Sequence, residues 1–197
     1  NFCIFSRYAE EVELLLFESP ATPRPDTVIA LDPRVNRTFF FWHIFVEGLG
    51  EGTFYNWRVR GACDTHATGC RIDGDKALLD PWAVTVDDRL WNREIACRPG
   101  DNVATAIRAQ VVQDRYDWEG DTPLHVALSA AVIYEMHVGG FTRHPSSGVA
   151  HPGTFGAVVE KIPYLRDLGI THVELMPIMA FDPQDVPPKT AAMGLEN

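Results

Sequence analysis

The chain has 197 residues, 46% of them hydrophobic and 22% charged, which is enough apolar material for a packed core and argues against wholesale disorder. Its formal net charge is −10, with 17 basic residues against 27 acidic ones; nucleic-acid binding needs clustered Lys and Arg to neutralise phosphates, so a nucleic-acid partner is excluded and a neutral ligand is not. No apolar run approaches the roughly 18 residues of a membrane span, and the start lacks a signal-peptide profile, so a cytoplasmic globular chain without a membrane partner is expected.

Domains cluster at roughly 100 to 150 residues, so this length suits two units, one of them incomplete. The chain opens at Asn1 rather than Met, directly in the apolar run Phe2, Ile4, Phe5, and a truncated segment is the expectation. Residues 2–5 read as a short strand. Residues 11–18, EVELLLFE, place Val12, Leu14 and Leu16 against Glu11, Glu13 and Leu15, the period of a half-buried strand. Pro20, Pro23 and Pro25 forbid regular pairing and make a loop. TFFFWHIFV (38–46) is dense in aromatic and β-branched residues and predicts one strand; residues 48–52 make the turn into TFYNWRVR (53–60). There Phe54, Asn56, Arg58 and Arg60 fall on one face, and Tyr55, Trp57 and Val59 on the other. Short strands with Gly and Pro turns predict a β-sandwich of the immunoglobulin-like kind over residues 1–86.

Residues 87–129 are weakly periodic and read as a connector, with a strand within 106–112. From 130 to 197 the texture is α/β. VIYEMHV (132–138) is a compact apolar strand, and a loop rich in Gly, Pro and Ser follows over 139–153. In TFGAVVEKIPYLRDLG, Phe155, Val158, Val159, Ile162, Leu165 and Leu168 recur at helical spacing. Thr154 is the expected N-cap and Gly169 the left-handed stop. Pro163 cannot donate to the carbonyl of Val159, so a kink or break is predicted there. THVELMPIM (171–179) is a second strand, giving one βαβ unit with parallel strands. A lone βαβ unit leaves its faces uncovered, so further material beyond residue 197 is expected.

Cys3, Cys63, Cys70 and Cys97 are too sparse for a disulfide framework. Cys63, His66 and Cys70, with Cys97 as a fourth ligand, are a conceivable zinc set, but no CxxC knuckle is present and reduced thiols are the favoured reading. Neither a metal nor a cofactor is expected.

The segment VIYEMHVGGFTRHPSSGVAHPGTFGAVVEKIPYLRDLGITHVELMPIMAFD closely resembles the first barrel strand, first helix and second barrel strand of the glycogen debranching enzymes related to isoamylase, in glycoside hydrolase family 13. The tail FDPQDVPP is similar to the loop that follows in those enzymes. NFCIFSRYAEEVELLLFE and KALLDPWAV resemble the start and end of the family's N-terminal sandwich, carbohydrate-binding module family 48. Two departures stand out: Gly139 sits where relatives carry a basic residue, and residues 63–74 keep only part of the family pattern.

The resemblance implies an incomplete (β/α)8 barrel after the sandwich. It also implies hydrolysis of α-1,6 branch linkages in glycogen or another branched α-glucan, with retention of configuration. That reaction needs a carboxylate nucleophile, a carboxylic acid for the leaving oxygen and a further carboxylate, which the family places on later barrel strands. The sequence contains no Asn-His dipeptide and no Gly-Phe-Arg-x-Asp motif, so no catalytic residue is assigned and the chain alone is expected to be inactive. The alternatives are a non-catalytic α-glucan-binding module and a related branching or trehalose-forming enzyme.

Glu135 and Glu174 lie in adjacent apolar strands and could be a buried catalytic pair, but barrel enzymes place catalytic groups at strand C-terminal ends, so structural anchors are favoured. His137, Phe181 and Asp182, at or beyond those ends, are candidate substrate contacts, with a satisfied core histidine the favoured alternative for His137. Trp42 and Trp57 are candidates for stacking on glucose rings, with core packing favoured at this aromatic density. Asp80-Pro81-Trp82 reads as a structural corner linking sandwich to barrel rather than as a binding site.

Overall fold

The computed structural model describes residues 1–62, 65–113, 115–179, 182, 184 and 185. They form two compact units, one drawn mainly from residues 1–116 and the other from within 117–183.

The first unit runs β1 (Phe2–Phe5), β2 (Ala9–Phe17), β3 (Thr27–Ala30), β4 (Arg37–Thr38), β5 (Phe41–Ile44), β6 (Phe54–Gly61), α1 (Thr65–Thr68), β7 (Thr85–Asp87), α2 (Arg93–Cys97) and β8 (Arg108–Gln110). Its strands make two antiparallel sheets, ordered β1-β5-β4 and β3-β2-β6-β8-β7. The expected sandwich is therefore present. Val12, Leu14 and Leu16 pair in register with Val59, Trp57 and Tyr55, and this face packs against Phe2, Ile4 and Trp42 of the smaller sheet.

Strand β2 is also buried on its other face, where Leu15 and Phe17 join Phe54, Ala77, Val103 and Ala106. That double burial explains why EVELLLF starts as an alternation and ends as a continuous apolar run. Each large apolar side chain buried there contributes roughly 1.5–3 kcal/mol.

Two expectations change. Residues 38–46 are not one strand but part of a β4–β5 hairpin, turned at Phe39, whose φ of 55° lies in the left-handed region that non-glycine residues rarely visit. Of the aromatic residues in that run only Trp42 points into the core; Phe39, Phe40, Phe41 and Phe45 are exposed. The strand foreseen within 106–112 appears as β8, and it hydrogen-bonds β6 and β7 inside the larger sheet, so the stretch read as a connector contributes to the sandwich. Among the described residues no helix is long and apolar enough to cross a membrane.

The second unit runs β9 (Ile133–Met136), α3 (Val138–Thr142), α4 (Phe155–Glu160), α5 (Ile162–Asp167) and β10 (His172–Leu175). Strands β9 and β10 are parallel, with Glu135 opposite Glu174. The stretch expected to be loop after residue 138 begins instead with α3. Its buried Thr142 accepts the Gly153 N–H at 2.8 Å and so ties the helix to the loop that follows.

The helical segment breaks as Pro163 requires. Helix α4 ends at Glu160, Lys161 carries non-helical angles, and Pro163 sits in the first turn of α5, where its missing N–H costs nothing. Thr154 caps α4 by accepting the Ala157 N–H at 3.2 Å, and Gly169 adopts φ of 82° after α5. The apolar stripe is only partly covered: Leu165 is buried, whereas Phe155, Val159, Ile162 and Leu168 are exposed, as are all residues of β10.

Candidate functional site

Trp42 and Trp57 are each 0% exposed, so neither indole presents a face to a sugar. The core role is the one the structure gives them. Trp42 packs between the sheets with the Arg37 guanidinium 5.1 Å from its ring, and Trp57 donates Nε1–H to Asp80 Oδ2 at 3.3 Å. Glu135 and Glu174 do stand side by side but are exposed, which removes the buried carboxylate pair.

His137 is neither buried nor a core group. It is the N-cap of α3, and its Nδ1 accepts the Gly140 N–H at 2.9 Å. A neutral imidazole that accepts at Nδ1 carries its proton on Nε2. Gly139 is buried beside it, and a Cβ there would lie 3.1 Å from His137 Cε1.

Asp182 is partly exposed. Phe181, the other candidate in that tail, lies outside the described residues, as does Cys63 of the conceivable zinc set. Cys3 and Cys97 are exposed thiols outside any disulfide. In the tail, Gln184 donates to the Trp91 carbonyl at 2.7 Å and accepts from the Arg93 N–H at 2.9 Å.

One concavity of the sandwich unit was not foreseen. It is a groove of about 590 Å³ lined by Phe5, Phe41, Phe45, Trp82 and Val84, with Gln110 among its polar groups. Phe5 and Phe41 are register partners on the outward face of β1 and β5, with ring centroids 5.3 Å apart in an edge arrangement. Alternation along β1, with Phe2 and Ile4 inward and Phe5 outward, is the signal that could have found them. Among the described residues, no Lys, Arg or Glu lines the groove, and its one carboxylate, Asp80, is buried.

Trp82 is 83% exposed at this groove, yet its backbone is fixed from below. Asp80 Oδ1 accepts the Trp82 N–H at 2.8 Å, while Oδ2 accepts the Tyr55 hydroxyl at 2.9 Å and the Trp57 indole N–H. Burial, and then the neighbouring Asp80 charge, push the Tyr55 hydroxyl well above the usual phenol range. Asp80-Pro81-Trp82 is thus a structural corner, as expected, that also holds an indole out at the surface.

Residues 1–83 match carbohydrate-binding module 48 (isoamylase N-terminal domain). Along its length the chain is 37% identical over 206 aligned positions to the glycogen debranching enzyme of Cronobacter sakazakii, covering 100% of this chain and 30% of that protein. It is 36% identical over 187 positions to the chloroplastic isoamylase 1 of Oryza sativa subsp. japonica, covering 92% of this chain and 23% of that protein. Among solved structures, the pullulanase of Paenibacillus barengoltzii in complex with maltohexaose and α-cyclodextrin superposes with a TM-score of 0.70 at 22% identity, over 94% of this chain and 26% of that one. The Group B Streptococcus pullulanase gives 0.68 at 23% identity, over 91% of this chain and 22% of that one. The chain therefore spans less than a third of the length of these relatives. Residues 1–83 thus match carbohydrate-binding module 48, the isoamylase N-terminal domain, and the chain is similar along its length to isoamylases and glycogen debranching enzymes.

Proposed function

We propose that this chain is the N-terminal part of an α-1,6-glucan debranching hydrolase of the isoamylase type, acting on glycogen or a related branched α-glucan. The observation that carries the reading is the 37% identity to a glycogen debranching enzyme across the entire chain, second unit included. The sandwich comes first and takes in β8. Residues 130–197 then begin the catalytic (β/α)8 barrel, with β9 and β10 as its first two strands.

The parallel pairing of β9 and β10 supports that assignment, and so do the exposed Val173, Leu175, Phe155 and Val159, which further strands and helices of a barrel would cover. Loops at the C-terminal ends of barrel strands border the active site. His137, at the end of β9, and Asp182, beyond β10, are by this reading placed at the rim of the glucan cleft. The nucleophile and the general acid belong to strands outside this sequence, and the 197-residue chain alone has no hydrolytic activity. The sparse cysteines, four in 197 residues, support a reducing, cytoplasmic setting.

The test is to express the gene through to its own stop codon and, separately, to express residues 1–197, and to incubate both with glycogen. The longer protein should release linear maltooligosaccharides and new reducing ends, and the shorter one none. Hydrolysis by residues 1–197, or none by the longer protein, overturns the proposal.

A further inference from the structure

We propose that Gln184 and Asp185 are positioning residues: they clasp the tail that follows β10 onto helix α2 of the first unit and thereby hold Asp182 in place. The clasp itself rests on its own geometry. Its service to a glucan rests on the debranching reading above, which puts Asp182 at the rim of the cleft.

Gln184 and Asp185 group with the first unit. The Gln184 side chain donates from Nε2 to the Trp91 carbonyl at 2.7 Å, and its Oε1 accepts the Arg93 N–H at 2.9 Å. A carbonyl can only accept and a backbone N–H can only donate, so these two partners fix which end of the amide is which. One side chain thus takes the place of a neighbouring strand, pairing with backbone groups two residues apart. The next residue adds charge, with Asp185 Oδ1 2.9 Å from Arg93 Nη2.

The receiving surface is itself held. The Trp91 N–H donates to the Asp88 carbonyl at 2.8 Å, and Asn92 caps α2 by accepting the Ile95 N–H at 3.0 Å. Buried Lys76 then donates to the Ile95 carbonyl at 2.9 Å, which ties α2 to the chain beside Ala77, a member of the core around Leu15 and Phe17. Fixing an exposed glutamine costs side-chain entropy, and here both ends of the amide and the adjacent carboxylate converge on Trp91 and Arg93.

Asp182 lies two residues before the clasp. Extended chain covers at most about 3.6 Å per residue, so pinning Gln184 confines the Asp182 backbone to within about 7 Å of it. A contact group displaced by about 1 Å can weaken catalysis by as much as a hundredfold, so a loose tail would blur whatever Asp182 touches. The clasp is also exposed, and exposed pairs of this kind are individually weak. Its loss should therefore free the tail and leave the sandwich folded.

The experiment has two arms. In the 197-residue chain, Gln184→Ala should speed hydrogen exchange at the Arg93 amide roughly fivefold, the scale of one lost net hydrogen bond. In the protein expressed through to its own stop codon, the same substitution should raise KM for glycogen roughly fivefold and leave kcat within about twofold, because an interaction shared by ground and transition states is lost. Gln184→Glu keeps an acceptor for the Arg93 N–H but no donor for the Trp91 carbonyl, and should fall between. Arg93→Asp should raise KM too, and adding Asp185→Arg should restore it to within about twofold, as a directly coupled pair requires. Thermal melts of the Gln184 variants should match the wild type.

Unchanged exchange at Arg93 in Gln184→Ala overturns the clasp, whatever the longer protein does. Faster exchange with unchanged KM overturns the positioning role, and so does a fall in kcat that follows the melting temperature, since the residues then only support the fold. An absence of hydrolysis by the longer wild-type protein sinks the debranching reading and the role of Asp182 at a rim, while exchange at Arg93 still decides the clasp.

Discussion

The Tyr55 hydroxyl donates to Asp80 Oδ2 at 2.9 Å across 25 residues of chain, and this contact couples the middle of β6 to the corner that presents Trp82. Asp80 accepts two further N–H groups, from Trp57 and Trp82. Replacing Asp80 by Ala strands a buried hydroxyl and a buried indole N–H, which costs about 3 kcal/mol by the usual penalty for unsatisfied buried donors. Urea denaturation followed by tryptophan fluorescence should show the midpoint fall accordingly, and Asp80→Asn, which keeps an acceptor oxygen, should lose less. Equal losses for the two variants would contradict the hydrogen-bond account.

The same contact sets a pH limit. An unfolded tyrosine ionises near 10, whereas burial first and Asp80 second hold Tyr55 protonated to higher pH in the fold. Between those two values the unfolded chain has lost a proton that the folded one keeps, so stability is fully present below about pH 10 and falls as pH rises through that window. Tyr55→Phe should be less stable at pH 7 and should lose less further stability between pH 9 and 11 than wild type. Parallel pH profiles for the two proteins would sink the assignment.

How much of this was legible in the sequence depends on the range of the forces involved. Thr154, Pro163 and Gly169 were placed correctly because capping, the missing proline N–H and positive φ act within a few residues. Strand β2 was legible for a similar reason, since its alternation lies within nine residues. The run TFFFWHIFV misled because density of aromatic residues says nothing about direction: the Phe39 turn reverses the chain, and only Trp42 ends inside. The membership of β8 in the larger sheet depends on pairing with β6, roughly fifty residues earlier, which no local pattern encodes. Trp82 was read as part of a corner; its exposure is set by the packing around it, which no local pattern encodes.

Arg108 should be the costliest polar side chain to remove from the larger sheet. It is almost fully buried and donates to the carbonyls of Pro20, Thr22 and Val103 and to Asn56 Oδ1, with its guanidinium 3.5 Å from the Phe17 ring centre. These bonds fasten the proline loop between β2 and β3 to the sheet. Arg108→Met leaves several carbonyls without a donor and should cost about 3 kcal/mol; Arg108→Lys cannot reproduce the planar fork and should rescue only part of it. Hydrogen exchange at amides of residues 18–26 should rise in both variants. Unchanged protection there would show that the loop is held by other contacts.

Thr154→Ala removes the acceptor for the Ala157 N–H and the donor to the His151 carbonyl. Loss of such a cap costs about 1 kcal/mol. The effect should be confined to the second unit, with faster exchange at Ala157 and no change in melting of the sandwich monitored through Trp57. A sandwich destabilised by the same amount would contradict it.

Gly139 and His137 offer the last test. A Cβ at residue 139 would stand 3.1 Å from His137 Cε1 and 3.4 Å from its Nδ1, closer than such atoms ordinarily approach, so the imidazole must swing by a few tenths of an ångström. That movement strains the 2.9 Å bond by which Nδ1 accepts the Gly140 N–H. Gly139→Ala should weaken this cap by up to about 1 kcal/mol, or roughly fivefold faster exchange at the Gly140 amide. The imidazole nitrogen shifts of His137 should move with it, from a form protonated at Nε2 toward a mixture of tautomers. Both observables report on the ring itself, so an unmoved pair of nitrogen shifts alongside unchanged exchange would contradict the steric account.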